Sequence, residues 1–236
     1  MQHGAMPHVL TKAVPDARRN SRGMSMIEVL AAATISLVVF AVASSFFVSQ
    51  QRMLLVQSAY AASQNVTRTF TDLFGREIRM ASYDPTGNAI TPSSPGPTCP
   101  GVKPGITEAT SSSLRFLQDL NGDGDTADAN ENVRYYLNAS TIMRQDGNAT
   151  ALALVGGVPS GGLTFTYYNG ANPPGVIVPS GTPPALGADQ RACIAKVRVQ
   201  LTAQLANPQF SNVNPLISAT DMEVAVRNRS LTNTAY

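Results

Sequence analysis

An acidic stretch in the middle of the chain has the residue types and the spacing of a metal-binding loop. It begins at Asp119, and side-chain oxygens then recur at every second residue: Asp119, Asn121, Asp123 and Asp125. Counted from Asp119, these are positions one, three, five and seven of an EF-hand calcium loop. Carboxylate and amide oxygens are hard ligands that favour calcium over zinc. The spacing therefore predicts a Ca²⁺ site.

The same stretch also has the composition of a solvated hairpin turn. An EF-hand places a bidentate glutamate at position twelve, but this chain has Asn130 there, and Glu131 comes one residue late. Asp and Asn side chains form turns by accepting hydrogen bonds from their own backbone, without any metal. From the sequence, both the calcium site and the turn remain open.

Histidine chemistry is confined to the start of the chain. The two histidines are His3 and His8, and residues 1–23 also carry Lys12, Arg18, Arg19 and Arg22 against Asp16 alone. The remainder holds 13 basic and 14 acidic side chains and no histidine. This distribution argues against Ser-His or Cys-His nucleophile pairs and histidine-containing zinc sites, and it leaves no basic patch for phosphates. We predict a protein that is not an enzyme and does not bind nucleic acid directly.

An apolar segment from Ile27 to Val48 follows the basic residues, and Glu28 is its only charged residue. Twenty-two residues of α-helix rise about 33 Å, enough to cross a bilayer core of about 30 Å. A secretory signal peptide has a shorter apolar run with its cleavage site behind it. We therefore predict a single-pass helix with a cytoplasmic N-terminus, because basic residues precede it, and an exported domain after Val48.

Cys99 and Cys193 are the two cysteines, and they lie too far apart in sequence for a CxxC redox or zinc motif. An exported domain lies in an oxidising compartment, so we predict that they form one disulfide bond. Two unpaired buried thiols are the alternative.

Glu28 needs an explanation, because a carboxylate in a membrane helix costs about 2.5–3.5 kcal/mol on insertion scales. Its side chain either snorkels to the lipid headgroups or meets a functional partner. The string RGMSMIEVL, residues 22–30, resembles the prepilin signature of type IV pilins and type II secretion pseudopilins. The resemblance implies cleavage after Gly23, methylation of the new amino group of Met24, and attraction between Glu28 and the amino terminus of a neighbouring subunit. This family usually has Phe at the position of Met24.

A second string, EIRMASY at residues 77–83, is similar to a segment of PilW-type minor pilins. That resemblance implies a minor pilin of a type IV pilus, which contributes to pilus assembly in motility, adhesion or DNA uptake. It would insert in the bacterial inner membrane with a periplasmic domain and then enter the pilus. The implied partners are the prepilin peptidase, the inner-membrane assembly platform, and other major and minor pilins.

Two other functions fit the same residues. A J-type minor pseudopilin of a type II secretion system would share the prepilin signature and the filament role. A membrane-anchored, calcium-dependent adhesin would share the apolar segment and the acidic loop but would never polymerise.

The elements that position these residues follow from periodicity. Apolar residues recur at spacings of three and four beyond the membrane segment, at Val56, Tyr60, Val66, Phe70, Leu73, Phe74 and Ile78. This predicts a half-buried helix lying on a sheet, and a coiled-coil stalk is the alternative. Period-two alternation, clearest at 196–201 and 223–227, predicts strands of an antiparallel sheet, and residues 84–105 and 156–187 have the Pro and Gly content of loops.

The predicted fold class is therefore α+β, a long N-terminal helix on an antiparallel sheet, as in the pilin fold. The predicted domain organisation is a leader peptide (1–23), a transmembrane and assembly helix (24–48), an amphipathic continuation (49–83) and an exported β-rich domain (84–236).

Overall fold

The structure, a computed structural model, describes residues 23–91, 105–205 and 215–227. Its contacts divide the chain into two units, residues 1–50 and 51–236. The first helix, α1 (Met26–Met80), is 55 residues long and contributes to both. Each unit is therefore described separately.

The first unit consists, in its described part, of a short extended segment and the first half of α1. The helix begins where the N–H groups of Glu28 and Val29 both donate to the carbonyl of Ser25, at 2.9 and 3.1 Å. The side chains from residue 23 to residue 50 are exposed, apart from a partly covered Ser44. Apolar side chains therefore point outward on all sides of this half of the helix.

One face of the second half of α1 is buried within the second unit. The buried residues recur every three or four positions, at Ser63, Thr67, Phe70, Phe74 and Ile78. Tyr60 and Val66, predicted to lie on the apolar face, remain 44% and 42% exposed. Small polar residues take the buried positions instead, because the segment around Ser218 passes close to the helix there and the Thr67 and Ser218 hydroxyls lie 3.3 Å apart.

A five-stranded antiparallel sheet lies after the helix. Its strands are β1 (Ile106–Ala109), β2 (Ser113–Leu117), β3 (Asn132–Asn138), β4 (Thr141–Asp146) and β5 (Leu152–Gly156). They pair in chain order, each with the next. The connection between β2 and β3 contains the acidic stretch, so this stretch joins two neighbouring paired strands.

A second antiparallel sheet has four strands. They are β6 (Leu163–Tyr168), β7 (Val176–Ile177), β8 (Lys196–Leu205) and β9 (Leu216–Ala225), in the spatial order β7-β6-β8-β9. A short helix, α2 (Ala188–Ala192), precedes β8. The predicted alternation in β8 is confirmed: Val197, Val199 and Leu201 are buried, and the polar residues between them are not.

The core of the second unit forms between α1 and both sheets, and Phe74 contacts all three layers. Its ring lies 5.3 Å from Tyr135 of β3 in an edge-to-face arrangement and 5.7 Å from Phe165 of β6 in a stacked one. Burial of a phenylalanine contributes about 1.5–3 kcal/mol, and each aromatic pair adds about 0.5–1.5 kcal/mol. The predicted α+β class, a long helix on antiparallel sheet, is confirmed.

Several element boundaries differ from those predicted. The helix ends at Met80, three residues early, because Ser82 adopts a left-handed conformation (φ 67°) and its N–H donates to the Leu117 carbonyl at 2.9 Å. Strand β9 starts at Leu216, earlier than the predicted alternation at 223–227, whereas β8 starts at Lys196, where the predicted alternation begins. Strands β6 and β7 both lie within the predicted loop 156–187.

Candidate functional site

The predicted processing segment lies at the start of the described chain. Gly23 and Met24 are exposed and precede α1, and no heavy atom of the described residues beyond its chain neighbours lies within 4 Å of the position that a Cβ of Gly23 would occupy. A peptidase can therefore approach this backbone without unfolding a helix.

Glu28 lies in the first turn of α1. Its carboxylate is exposed and makes no hydrogen bond or ion pair with any other described residue. A negative charge near a helix N-terminus is favourable, because the unpaired N–H groups there carry partial positive charge. The carboxylate therefore remains available to a group from outside the chain.

The first half of α1 has the length and composition of a membrane-spanning helix. Within Met26–Met80, an 18-residue window reaches a mean hydropathy of 2.3, and none of that window is buried by the rest of the chain. A buried core helix of a soluble protein would be covered by its own fold. This apolar segment and the motif before it indicate membrane anchoring.

The acidic loop is organised around Asp119, which is fully buried. Its carboxylate accepts hydrogen bonds from the N–H groups of Gly122 at 2.6 Å and Gly124 at 3.1 Å. Both glycines have a positive φ, 77° and 91°, which other residues rarely adopt. Asp119 therefore uses its oxygens to hold the backbone of the loop, and it does not join the other carboxylates.

Asn121, Asp123 and Asp125 lie on the exposed side of the loop. The Asn121 amide donates to Asp123 at 3.1 Å and to Asp128 at 2.7 Å. The Asp125 N–H donates to the Asp123 carboxylate at 3.0 Å, and this bond, with that from Asn121, keeps the pKa of Asp123 below its usual range. Asp123 is therefore ionised at neutral pH.

The structure brings two of the four predicted ligands, Asp123 and Asp125, together with Asp128 and Glu131. One carboxylate oxygen from each of the four residues lies within 4.8 Å of those of the others. The EF-hand spacing, counted from Asp119, does not include Asp128 or Glu131 among the predicted ligands. The sequence signal for these two ligands is that acidic residues recur to the end of the loop, at 123, 125, 128 and 131.

Of the predicted disulfide pair, Cys193 is buried at the end of α2, with 5% of its surface exposed. Cys99 lies outside the described residues. The pairing of Cys99 with Cys193 therefore stays a prediction.

A polar network between α1 and the five-stranded sheet was not predicted. Glu77 accepts a hydrogen bond from the Tyr135 hydroxyl at 2.5 Å, and Arg144 donates to it through Nη2 at 2.9 Å. Burial alone would lower the pKa of Arg144, but its hydrogen bond to Glu77 and the Glu77 charge outweigh this and raise that pKa. Burial, followed by the charge of Glu77, also raises the pKa of Tyr135. These hydrogen bonds and the ion pair between Glu77 and Arg144 connect α1 to β3 and β4.

Comparison with known proteins identifies one sequence feature. Residues 18–44 match the family described as the prokaryotic N-terminal methylation motif, and this range includes Gly23, Met24 and Glu28. No curated protein matches the chain. Among solved structures, a type IV-like pilin from Thermus thermophilus is similar with a TM-score of 0.35 and 14% identity, over 70% of this chain and 97% of that one.

Proposed function

We propose that this chain is a subunit of a type IV pilin-like filament, a PilW-like minor pilin that is cleaved after Gly23 and methylated on Met24. The observation that carries the proposal is the methylation motif at residues 18–44. The structure supports it, because the motif leads directly into an exposed apolar helix whose only charged residue before Arg52 is Glu28.

The exposed apolar surface of this helix requires a cover from outside the chain. The side chains of Met26, Ile27 and Phe40, for example, are 84%, 75% and 74% exposed. Lipid covers such a surface in the membrane, and helices of neighbouring subunits cover it in a filament. One surface therefore serves both the inserted and the assembled state.

Glu28 favours transfer of the helix from the lipid into a bundle of helices. In the membrane its charge is costly, whereas in a bundle of helices it meets the positive amino group of Met24 on an adjacent subunit. That attraction is strong because few water molecules screen it in such a setting. Since a subunit at the very tip has no neighbour above it, retention of Glu28 also supports a position beneath at least one other minor subunit.

The orientation and partners follow from the same features. Basic residues before the helix favour a cytoplasmic N-terminus, so the domain after Val48 is periplasmic before assembly. The chain then requires a prepilin peptidase, an assembly platform in the inner membrane, and other pilins to polymerise with. The segment 77–83 favours the PilW-type minor pilin over the J-type pseudopilin.

The test of the filament role is Glu28→Ala. The variant should insert normally or better and should be cleaved after Gly23, but it should be lost from sheared filaments. Ser36→Ala is the matched control, because Ser36 lies in the same segment and its hydroxyl bonds only to the Ala32 carbonyl of its own helix, at 2.7 Å. Immunoblots of membranes and of sheared filaments measure both properties.

Normal incorporation of the Glu28→Ala protein would contradict both the assembly role and the position beneath the tip. Unchanged surface display without any filament would favour the membrane-anchored adhesin. Deletion of the whole chain separates the two filament systems: loss of pili indicates a pilin, and retention of secreted enzymes in the periplasm indicates a pseudopilin.

A further inference from the structure

We propose that the carboxylates of Asp123, Asp125, Asp128 and Glu131 bind one calcium ion in the connection between β2 and β3. This ligand set differs from the one that the EF-hand spacing predicts, because Asp128 and Glu131 from the end of the loop replace Asp119 and Asn121. The inference does not rest on the proposed function, since a chain that never polymerised would still bind the ion.

Glu131 provides the observation that points to a ligand. Its side chain is almost completely buried, with 1% of the residue exposed. Oε1 accepts hydrogen bonds from the N–H groups of Leu120 at 2.8 Å and Asn121 at 3.3 Å, whereas the buried Oε2 has no hydrogen-bond partner among the described residues. An unpaired buried carboxylate oxygen is costly, because it has lost its water without gaining a donor. A cation at the cluster would satisfy it.

The separation of the oxygens fits the size of the ion. Calcium binds oxygen at about 2.3–2.6 Å, so two ligand atoms on opposite sides of the ion lie about 4.6–5.2 Å apart. The four carboxylate oxygens all lie within 4.8 Å of one another, which is within the span of two oxygens on opposite sides of one calcium ion. Magnesium binds at about 2.0–2.1 Å in a strict octahedron and usually keeps several of its waters, so a cluster of four protein carboxylates favours calcium.

Exposure explains how the ion enters and how its shell is completed. Asp123, Asp125 and Asp128 are exposed, whereas Glu131 is buried beneath them. Calcium takes six to eight oxygen ligands, so water fills the positions on the exposed side. The ion would also reduce the mutual repulsion of four neighbouring carboxylates.

The backbone of the loop is already held in place without the ion. Asp119 fixes the turn through Gly122 and Gly124, and its own N–H donates to the Tyr83 carbonyl at 2.7 Å. The loop is thereby attached to the segment that follows α1. Calcium bound to its outer carboxylates would stabilise this attachment along with the ends of β2 and β3.

Calorimetric titration of the full chain in detergent with CaCl₂, together with its melting temperature in CaCl₂ and in EDTA, tests the proposal. We expect saturation at one ion per chain and a rise in melting temperature of about 5 °C or more at 100-fold excess over Kd. MgCl₂ at the same concentration should give a smaller rise. Absence of a binding heat with an unchanged melting temperature in millimolar CaCl₂ would overturn the site, and a larger effect of MgCl₂ would overturn its assignment to calcium.

Asp128→Asn tests the ligand set, because Asp128 is exposed and its removal leaves the bonds of Asp119 and Glu131 intact. We expect it to weaken calcium binding at least tenfold and to leave the melting temperature in EDTA unchanged. Glu131→Gln should also weaken binding but should lower the melting temperature in EDTA, since Glu131 holds two backbone N–H groups. Asp72→Asn, an exposed position on α1, is the matched control. Equal calcium affinities of Asp128→Asn and Asp72→Asn would overturn the proposal.

Discussion

The first half of α1, residues 26–50, and its second half, residues 51–80, differ in what covers their side chains. In the first half, apolar residues point outward on every side, and no residue is buried. In the second half, Phe70, Phe74 and Ile78 are buried against the sheets while Arg68 and Arg76 remain exposed. One regular helix thus has two different surfaces.

The comparison shows where each half obtains its stability. The second half is stabilised by the fold of its own chain, so its important residues are those that contact the sheets. The side chains of the first half are exposed, so its important residues are those that a peptidase, a lipid or another subunit would contact. Substitutions in the two halves should therefore change different measurements.

The largest expected effect is on processing. Gly23→Leu should leave the full-length precursor in the membrane, because a side chain at this exposed position hinders a peptidase that must reach the backbone. The wild-type protein should begin at Met24, and mass spectrometry of the intact chain measures both. Met24→Phe is the control and should be cleaved, since this family usually has Phe there. A wild-type protein that keeps residues 1–23 would contradict the proposed processing.

Truncating one phenylalanine in each half tests the comparison directly. Phe74→Ala should lower the free energy of unfolding by about 3–5 kcal/mol, because it removes a ring that contacts both sheets. Phe40→Ala, in the exposed half, should change it by less than about 0.5 kcal/mol. Urea titration of the full chain in detergent measures both. Equal losses in the two variants would mean that the two halves of α1 do not differ in their contribution to the free energy of unfolding.

The Glu77 network should contribute less than the aromatic core. Glu77→Gln should lower the free energy of unfolding by about 1–3 kcal/mol, because Arg144 and Tyr135 lose a charged acceptor in a largely buried place. Glu223→Gln is the control, because its pair with Lys196 is exposed and contributes at most about 1 kcal/mol. If the two variants unfold at the same urea concentration, burial does not strengthen the Glu77 network.

The smallest expected effect is a pH dependence within the five-stranded sheet. Burial alone would raise the pKa of Glu108, but hydrogen bonds from Arg134 and Ser113 outweigh it and lower that pKa. Because the pKa is lower in the folded state, the stabilisation is complete above the unfolded value of about 4.3 and decreases as the pH falls through the folded value.

Urea midpoints measured from pH 6 down to pH 3 test this pH dependence. The wild-type protein should lose more stability over this range than Glu108→Gln, which cannot take up the proton. Parallel pH profiles of the two proteins would show that Glu108 makes no such contribution.

The sequence was sufficient for features that depend on neighbouring residues. The apolar segment, Gly23 and Glu28 are recognisable in the sequence, because they lie close together in the chain. The alternation in β8 predicted its buried face, because side chains of a strand point to opposite sides in turn. The order of one long helix followed by strands, and with it the α+β class, followed from such local periodicities.

Tertiary structure decided the features that depend on residues far apart in sequence. The buried face of α1 shifted to Ser63 and Thr67, because β9 approaches the helix there and favours small side chains over the nearby Tyr60 and Val66. The Glu77 network joins side chains that are separated by 58 and 67 positions in the chain, a distance at which no periodicity gives a signal.

The acidic loop shows both what the sequence could predict and what only the tertiary structure decided. Its composition predicted oxygen ligands, but the sequence could not show which carboxylates would face one another. That depended on Asp119 turning inward to bind two glycine N–H groups, and on pairing between β2 and β3 bringing Glu131 back beside the start of the loop. The sequence determines which side-chain groups are available, whereas backbone hydrogen bonds between distant segments determine which of these groups lie close together.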